Sequence, residues 1–176
     1  MLTDIGEYIV GAYLQLKLDC DVVDYNVRPP GGGLEGLDEI DVIGLNLKKH
    51  IAYLCEVTTH IRGVLYKNNQ TTIDCITRKH KRQKRYSRQR FLRGFRCEYM
   101  FWSPVVPVGF ITENLSRLRD LQLVINGEYK RRIKELEAKA AETTHDVGNP
   151  FFRVLQILKH LRPGERADKR CAQTST

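Results

Sequence analysis

The chain has 176 residues, 41% hydrophobic and 28% charged, the composition of a soluble globular protein of one domain. It contains no apolar run of 18 residues, and its start lacks the basic and apolar regions of a signal peptide, so neither a membrane span nor a secretory leader is expected. A formal net charge of +8 points to a polyanionic partner, of which nucleic acid is the commonest.

Residues 4 to 18 read as a helix, since Ile5, Ile9, Val10, Tyr13, Leu14 and Leu18 recur at helical spacing, with Asp4 as N-cap and Glu7 as the acid of a capping box. Asp21 to Val27 alternates like a strand and runs into the breaker Arg28-Pro29-Pro30-Gly31-Gly32-Gly33. No Gly-Lys-Ser/Thr follows those glycines, so a flexible connection is expected rather than a phosphate-cradling loop. Two more strands follow, about 39 to 47 and 51 to 60, joined through Asn46 and Lys48-Lys49-His50 as a hairpin. Residues 69 to 93 read as a second helix whose inner stripe (Ile73, Ile76, His80, Gln83 or Lys84, Ser87, Phe91) turns polar halfway along. A strand is expected between 98 and 110, ending near Pro104. The remainder reads as helical: a long segment from Glu113 to Ala141, then a helix opened by Asn149-Pro150 and stopped by Arg162-Pro163-Gly164. The expected fold is therefore α/β (α+β), a mixed sheet flanked by helices. Its division is a core over 1–110, a helical extension over 111–162 packed on that core, and a polar, disordered tail over 163–176.

Five cysteines (Cys20, Cys55, Cys75, Cys97, Cys171) form no C-x-x-C pair, which argues against a zinc ribbon or a thioredoxin motif. The first four sit in or beside apolar runs, as small buried hydrophobes do, and reduced thiols fit a cytoplasmic location.

Between Arg78 and Arg96 stand ten Lys or Arg residues and no acid, interleaved with Tyr86, Phe91 and Phe95. This is a nucleic-acid footprint, with Arg78, Lys81, Arg82, Lys84, Arg85 and Arg88 as the expected contacts. A solvated helix face or a tether to acidic lipid would show the same charge run.

The chemistry is expected in the hairpin. Glu39-Ile40-Asp41-Val42-Ile43-Gly44 and Ile51-Ala52-Tyr53-Leu54-Cys55-Glu56-Val57-Thr58 each place an acid inside an apolar strand, where a carboxylate needs a partner. Two such carboxylates, Asp41 and Glu56, can share one hard divalent cation, Mg²⁺, with the carbonyl of Val57 as a third ligand. His60 lies on the Glu56 face of its strand by the two-residue period. Asp41 held by a hairpin backbone group, or Glu56 paired with a basic side chain, are the alternatives.

These two strands and the order helix, three strands, helix, strand resemble the PD-(D/E)XK nuclease superfamily, the restriction-endonuclease-like fold. The acid-bearing strands are similar to those of archaeal Holliday-junction resolvases. The resemblance covers roughly residues 4 to 108 and implies an αβββαβ core. It further implies a metal-dependent deoxyribonuclease, with Asp41 and Glu56 as ligands of Mg²⁺ (Mn²⁺ substituting) and Glu7 completing the site. The family's lysine would stand at position 58, where this chain has Thr58. A lysine of the second helix, Lys79 first among Lys79, Lys81 and Lys84, is expected to reach the site in its place, with Gln83 lining it or His60 sharing the role. The implied partner is nucleic acid, DNA foremost, and a homodimer suits cleavage of two strands. The rival expectations are a catalytically inactive nucleic-acid-binding member of the same fold, and an interaction protein that uses the basic helix 78–96.

Overall fold

The fold is built around a strand that has no exposed face. In the computed structural model, which describes residues 3–29 and 39–161, β3 (Ile51–Val57) is buried from Ile51 through Glu56. It lies at the centre of one five-stranded sheet of order β1-β2-β3-β4-β5, with β1 Val22–Val27, β2 Ile40–Asn46, β4 Arg96–Ser103 and β5 Leu121–Ile125. The first three strands form an antiparallel meander, and β3, β4 and β5 run parallel. Parallel strands need crossovers, which here cover one face of the sheet, while the first helix and the last two cover the other. The protein is thus α/β, a mixed sheet flanked by helices.

One face carries α1 (Ile5–Lys17), α4 (Asn126–Glu142) and α5 (Pro150–Leu161), which enclose Val10, Leu14, Val42, Cys55, Trp102, Leu136 and Phe152. The other carries α2 (Asn69–Tyr86) and α3 (Phe110–Leu115), packed on Leu54, Phe101 and Leu121 through Ile76, Ile111, Leu115 and Tyr86. α1 begins as its sequence dictates: the Asp4 side chain accepts from the Gly6 N–H at 2.8 Å, and Glu7 reaches back to the Asp4 N–H at 3.1 Å. Gly6 also lets this turn press on the chain leaving β3. A Cβ there would stand 2.0 Å from Cγ2 of Thr59.

Two readings of the sequence change. Residues 113 to 141 are not one helix: α3 ends at Leu115, Leu121–Ile125 enters the sheet beside β4, and α4 starts only at Asn126. The segment from 111 onward is therefore not purely helical, and it contributes a strand to the core sheet. The second helix stops at Tyr86 rather than 93, and the chain continues through a 3-10 turn at Arg90–Leu92. The triglycine loop, Cys171 and the tail from 163 lie outside the described residues. No helix among the described residues is long and apolar enough to cross a membrane.

Candidate functional site

β2 and β3 pair antiparallel with Val42 opposite Cys55, so the next step along both strands sets Asp41 across from Glu56. Glu56 follows Ala52 and Leu54 by the two-residue period, on the face that packs against α2. Asn68 caps α2, its side chain accepting from the Thr71 N–H at 2.8 Å, and the helix runs back over this end of β3. Lys79 and Arg82 lie three residues apart, on one side of that helix.

These four side chains form one cluster. The Lys79 ammonium lies 3.3 Å from Oδ2 of Asp41 and 3.1 Å from Oε2 of Glu56. Arg82 grips Glu56 with both arms of its guanidinium, Nε to Oε1 at 3.1 Å and Nη2 to Oε2 at 2.7 Å. Asp41 Oδ2 also accepts the Val57 N–H at 2.7 Å. Two carboxylates thus face one ammonium and one guanidinium, and the cluster is formally neutral.

Its charges are costly. The Glu56 side chain is 1% exposed, and its carboxyl is pushed up to about 7 by burial first and by the charge of Asp41 second, against the pull of Lys79 and Arg82. Burial works against the Lys79 ammonium too, but Glu56 and then Asp41 outweigh it and hold the group above its ordinary value. The Lys79 side chain keeps 26% of its surface open, toward a cleft of about 210 Å³ that Glu7, Val57, Thr58, His60 and Tyr66 also line.

The structure places the remaining expected site residues as follows. Thr58 is buried, lines the cleft, and donates its backbone N–H to the Trp102 carbonyl at 2.9 Å. Glu7 reaches the same cleft while its Oε2 accepts from Asn26 Nδ2 at 2.9 Å and closes the α1 capping box. Burial, and more weakly Asp41, raise its carboxyl above the ordinary range. His60 is exposed at the cleft rim beside Tyr66. Gln83 does not line the cleft: it is fully buried and donates to the carbonyls of Leu54 and Met100, both at 2.8 Å, tying β3 to β4.

The six basic residues expected on nucleic acid do not act together. Arg78, Lys81, Arg85 and Arg88 are exposed. Lys84 is paired with Asp120, whose carboxylate also accepts from His80 Nε2 at 2.9 Å. Arg82 is turned inward onto Glu56, its side chain only 12% exposed. Sequence reasoning missed this role. The signal was the three-residue spacing from Lys79, hidden because Arg82 sits inside an unbroken basic run.

Could this group hold a divalent cation? Asp41 and Glu56 already touch one cationic atom together, and they offer only oxygen donors, as Mg²⁺ requires. Among the described residues, however, no group of three or more His, Cys, Asp and Glu is placed to hold a metal ion, so Glu7 is not gathered with the pair. Mg²⁺ commonly takes one or two carboxylates and completes its shell with water and substrate phosphate. The two acids fit that mode and not a closed protein cage. Compared with family models, curated proteins and solved structures, the chain finds no significant match.

Proposed function

We propose that this protein is a Mg²⁺-dependent nuclease that hydrolyses phosphodiester bonds of DNA, with a restriction-endonuclease-like core. The observation that supports this most is the reach of Lys79 to both Asp41 and Glu56 beside Thr58, the position that lacks the expected lysine. In this reading Asp41 and Glu56 hold the metal from behind Lys79, which lines the cleft together with Val57 and Glu7, while Asp41 and Glu56 themselves do not line it. When bound, the ion supplies an acidified water and neutralises charge on the phosphodiester. Lys79 keeps a positive charge at the cleft where phosphoryl negative charge develops, and stays protonated because the two carboxylates favour its cationic form. Arg82 fixes the Glu56 carboxylate in one orientation through its two-armed contact. The test is incubation of a mixed panel of DNA and RNA substrates with Mg²⁺ or Mn²⁺. Cleavage is expected, and Asp41→Ala or Glu56→Ala should abolish it; variants that cut as well as wild type would sink the assignment.

A second reading rests on the neutrality of the cluster. Both oxygens of Glu56 are already engaged by cations from α2, which is also how a vestigial acid site in a nucleic-acid-binding module would be kept folded. Oligonucleotide binding that ignores Mg²⁺ and Mn²⁺, with no cleavage of any substrate, would favour it.

A further inference from the structure

Beyond the end of α2 the chain turns sharply and builds a second basic feature. Arg88, Arg90 and Arg93 converge with Gln89 and Phe95 on a cavity of about 530 Å³ around the 3-10 turn. All three arginines are exposed, and none has a side-chain hydrogen bond or ion pair to a described residue. No carboxylate lines the cavity. This separates it from Lys79, Arg82 and Lys84 of the same basic run, each of which has an anionic partner. Three guanidinia in one concavity repel one another unless an anion sits between them, and the fork geometry of guanidinium suits phosphate. Phe91, on the same turn, packs edge-to-face with Tyr86 and is still 44% exposed, an apolar surface open to solvent.

We infer that this corner is a nucleotide-binding subsite: Arg88, Arg90 and Arg93 hold a backbone phosphate of a nucleic-acid strand, and Phe91 stacks on an unpaired base. The inference rests on the nuclease reading only for direction. From Lys79 to the end of α2 at Tyr86 is seven residues, about 10 Å of helical rise, or about three nucleotide steps at about 3.4 Å per step along a duplex strand. The held phosphate therefore lies about three nucleotides from the one at Asp41 and Glu56. Arg85 and Gln89 border a smaller cavity with Arg82, between the two places.

The experiment is fluorescence anisotropy with labelled single-stranded and duplex DNA and matching RNA, in EDTA so that no cleavage intervenes. Arg90→Glu with Arg93→Glu should weaken binding at least tenfold and flatten the dependence of log affinity on log salt by about one. Lys130→Glu with Lys134→Glu, exposed on α4 over the opposite face of the sheet, should change affinity less than twofold. Phe91→Ala should weaken the single strand more than the duplex. Arg90→Gln with Arg93→Gln, checked for unchanged Tm, should lose affinity in the same direction. Equal effects of the two charge-reversed pairs would overturn the subsite. So would binding of wild type to phosphatidylserine vesicles but to no oligonucleotide. Arginine-dependent binding without cleavage under Mg²⁺ or Mn²⁺ would remove the nuclease reading and leave the subsite standing.

Discussion

Two carboxylate–arginine clusters in this molecule look alike on paper and behave in opposite ways. At the end of β3, Glu56 is gripped by Arg82 and touched by Lys79. On α4, Glu128 accepts from Arg131 at 2.6 Å and from Arg132 at 2.9 Å. The Glu56 carboxyl is pushed up to about 7, whereas that of Glu128 is pulled down to about 2, first by the hydrogen bond from Arg131. The difference is solvent. The Glu128 side chain is 33% exposed and keeps its hydration, so its partners only add stabilisation. Glu56 has lost its water, and a second anion, Asp41, sits beside it. Arg132 itself is buried, but it spreads its guanidinium over the rings of Tyr13 and Trp102, 4.6 and 5.1 Å from their centres. A salt bridge therefore says little until its desolvation is counted.

The largest break of the comparison comes from deleting each acid. Glu56→Ala should abolish cleavage and also cost about 3 kcal/mol of stability, because Lys79 and Arg82 lose a buried counter-charge. Glu128→Ala should leave cleavage unchanged and move the denaturation midpoint only slightly. Chemical denaturation with a parallel cleavage assay reads both, and equal midpoints for the two variants would contradict the account.

Lys79→Ala should slow cleavage about 100-fold, the usual scale for removing one group that stabilises transition-state charge. Thr58→Lys in that background should restore part of the rate. A single Lys79→Ala variant that cuts as fast as wild type would mean that Lys79 is not the working cation.

The two clusters should also leave opposite marks on stability against pH. A carboxyl raised from 4.5 to about 7 binds its proton more tightly in the folded state, so its contribution is fully present below pH 4.5 and is lost as pH rises toward 7. That loss is on the order of 3 kcal/mol. A carboxyl lowered to about 2 contributes above pH 4.5, and that contribution is lost as pH falls toward 2. Glu56→Gln should flatten the decline between pH 4.5 and 7, and Glu128→Gln the rise between pH 2 and 4.5. Tm scans that show the same window for both variants would refute the desolvation argument.

The smallest expected effect is at the exposed end of α2 and the turn that follows it. Arg85→Glu with Arg88→Glu should weaken DNA binding several-fold for every sequence alike and reduce its salt dependence. An affinity equal at low and high salt would remove the electrostatic account.

How much of this was legible beforehand follows local pattern closely. Helix α1 with its Asp4 cap and Glu7, the paired strands carrying Asp41 and Glu56, and the inward stripe of α2 all announce themselves in spacing. The resemblance implied a helix lysine near Thr58, and Lys79 lies against Asp41 and Glu56. Strand β5 was not legible: Leu121-Gln122-Leu123-Val124-Ile125 is five residues long, and its apolar positions also continue a helical stripe from Leu115 and Leu118. Only its parallel pairing with β4, a long-range event, selects the strand. Gln83 and Arg82 were hidden for another reason. A polar side chain on a helix does not reveal whether it will meet a backbone carbonyl, a carboxylate or solvent, since that depends on which strand end lies below it.

One carboxylate at the mouth of the cleft does double service. Oε2 of Glu7 holds the Asp4 amide and the Asn26 side chain, so it fastens the first turn of α1 and ties that turn to β1. A cation that drew Glu7 into the cleft would take it from both, and the beginning of the helix would fray. The amide protons of Asp4 and Gly6 would then trade with deuterated solvent faster. If a cation does draw on Glu7, hydrogen exchange at the start of α1 reports cleft occupancy through the backbone, with neither a substrate nor a label.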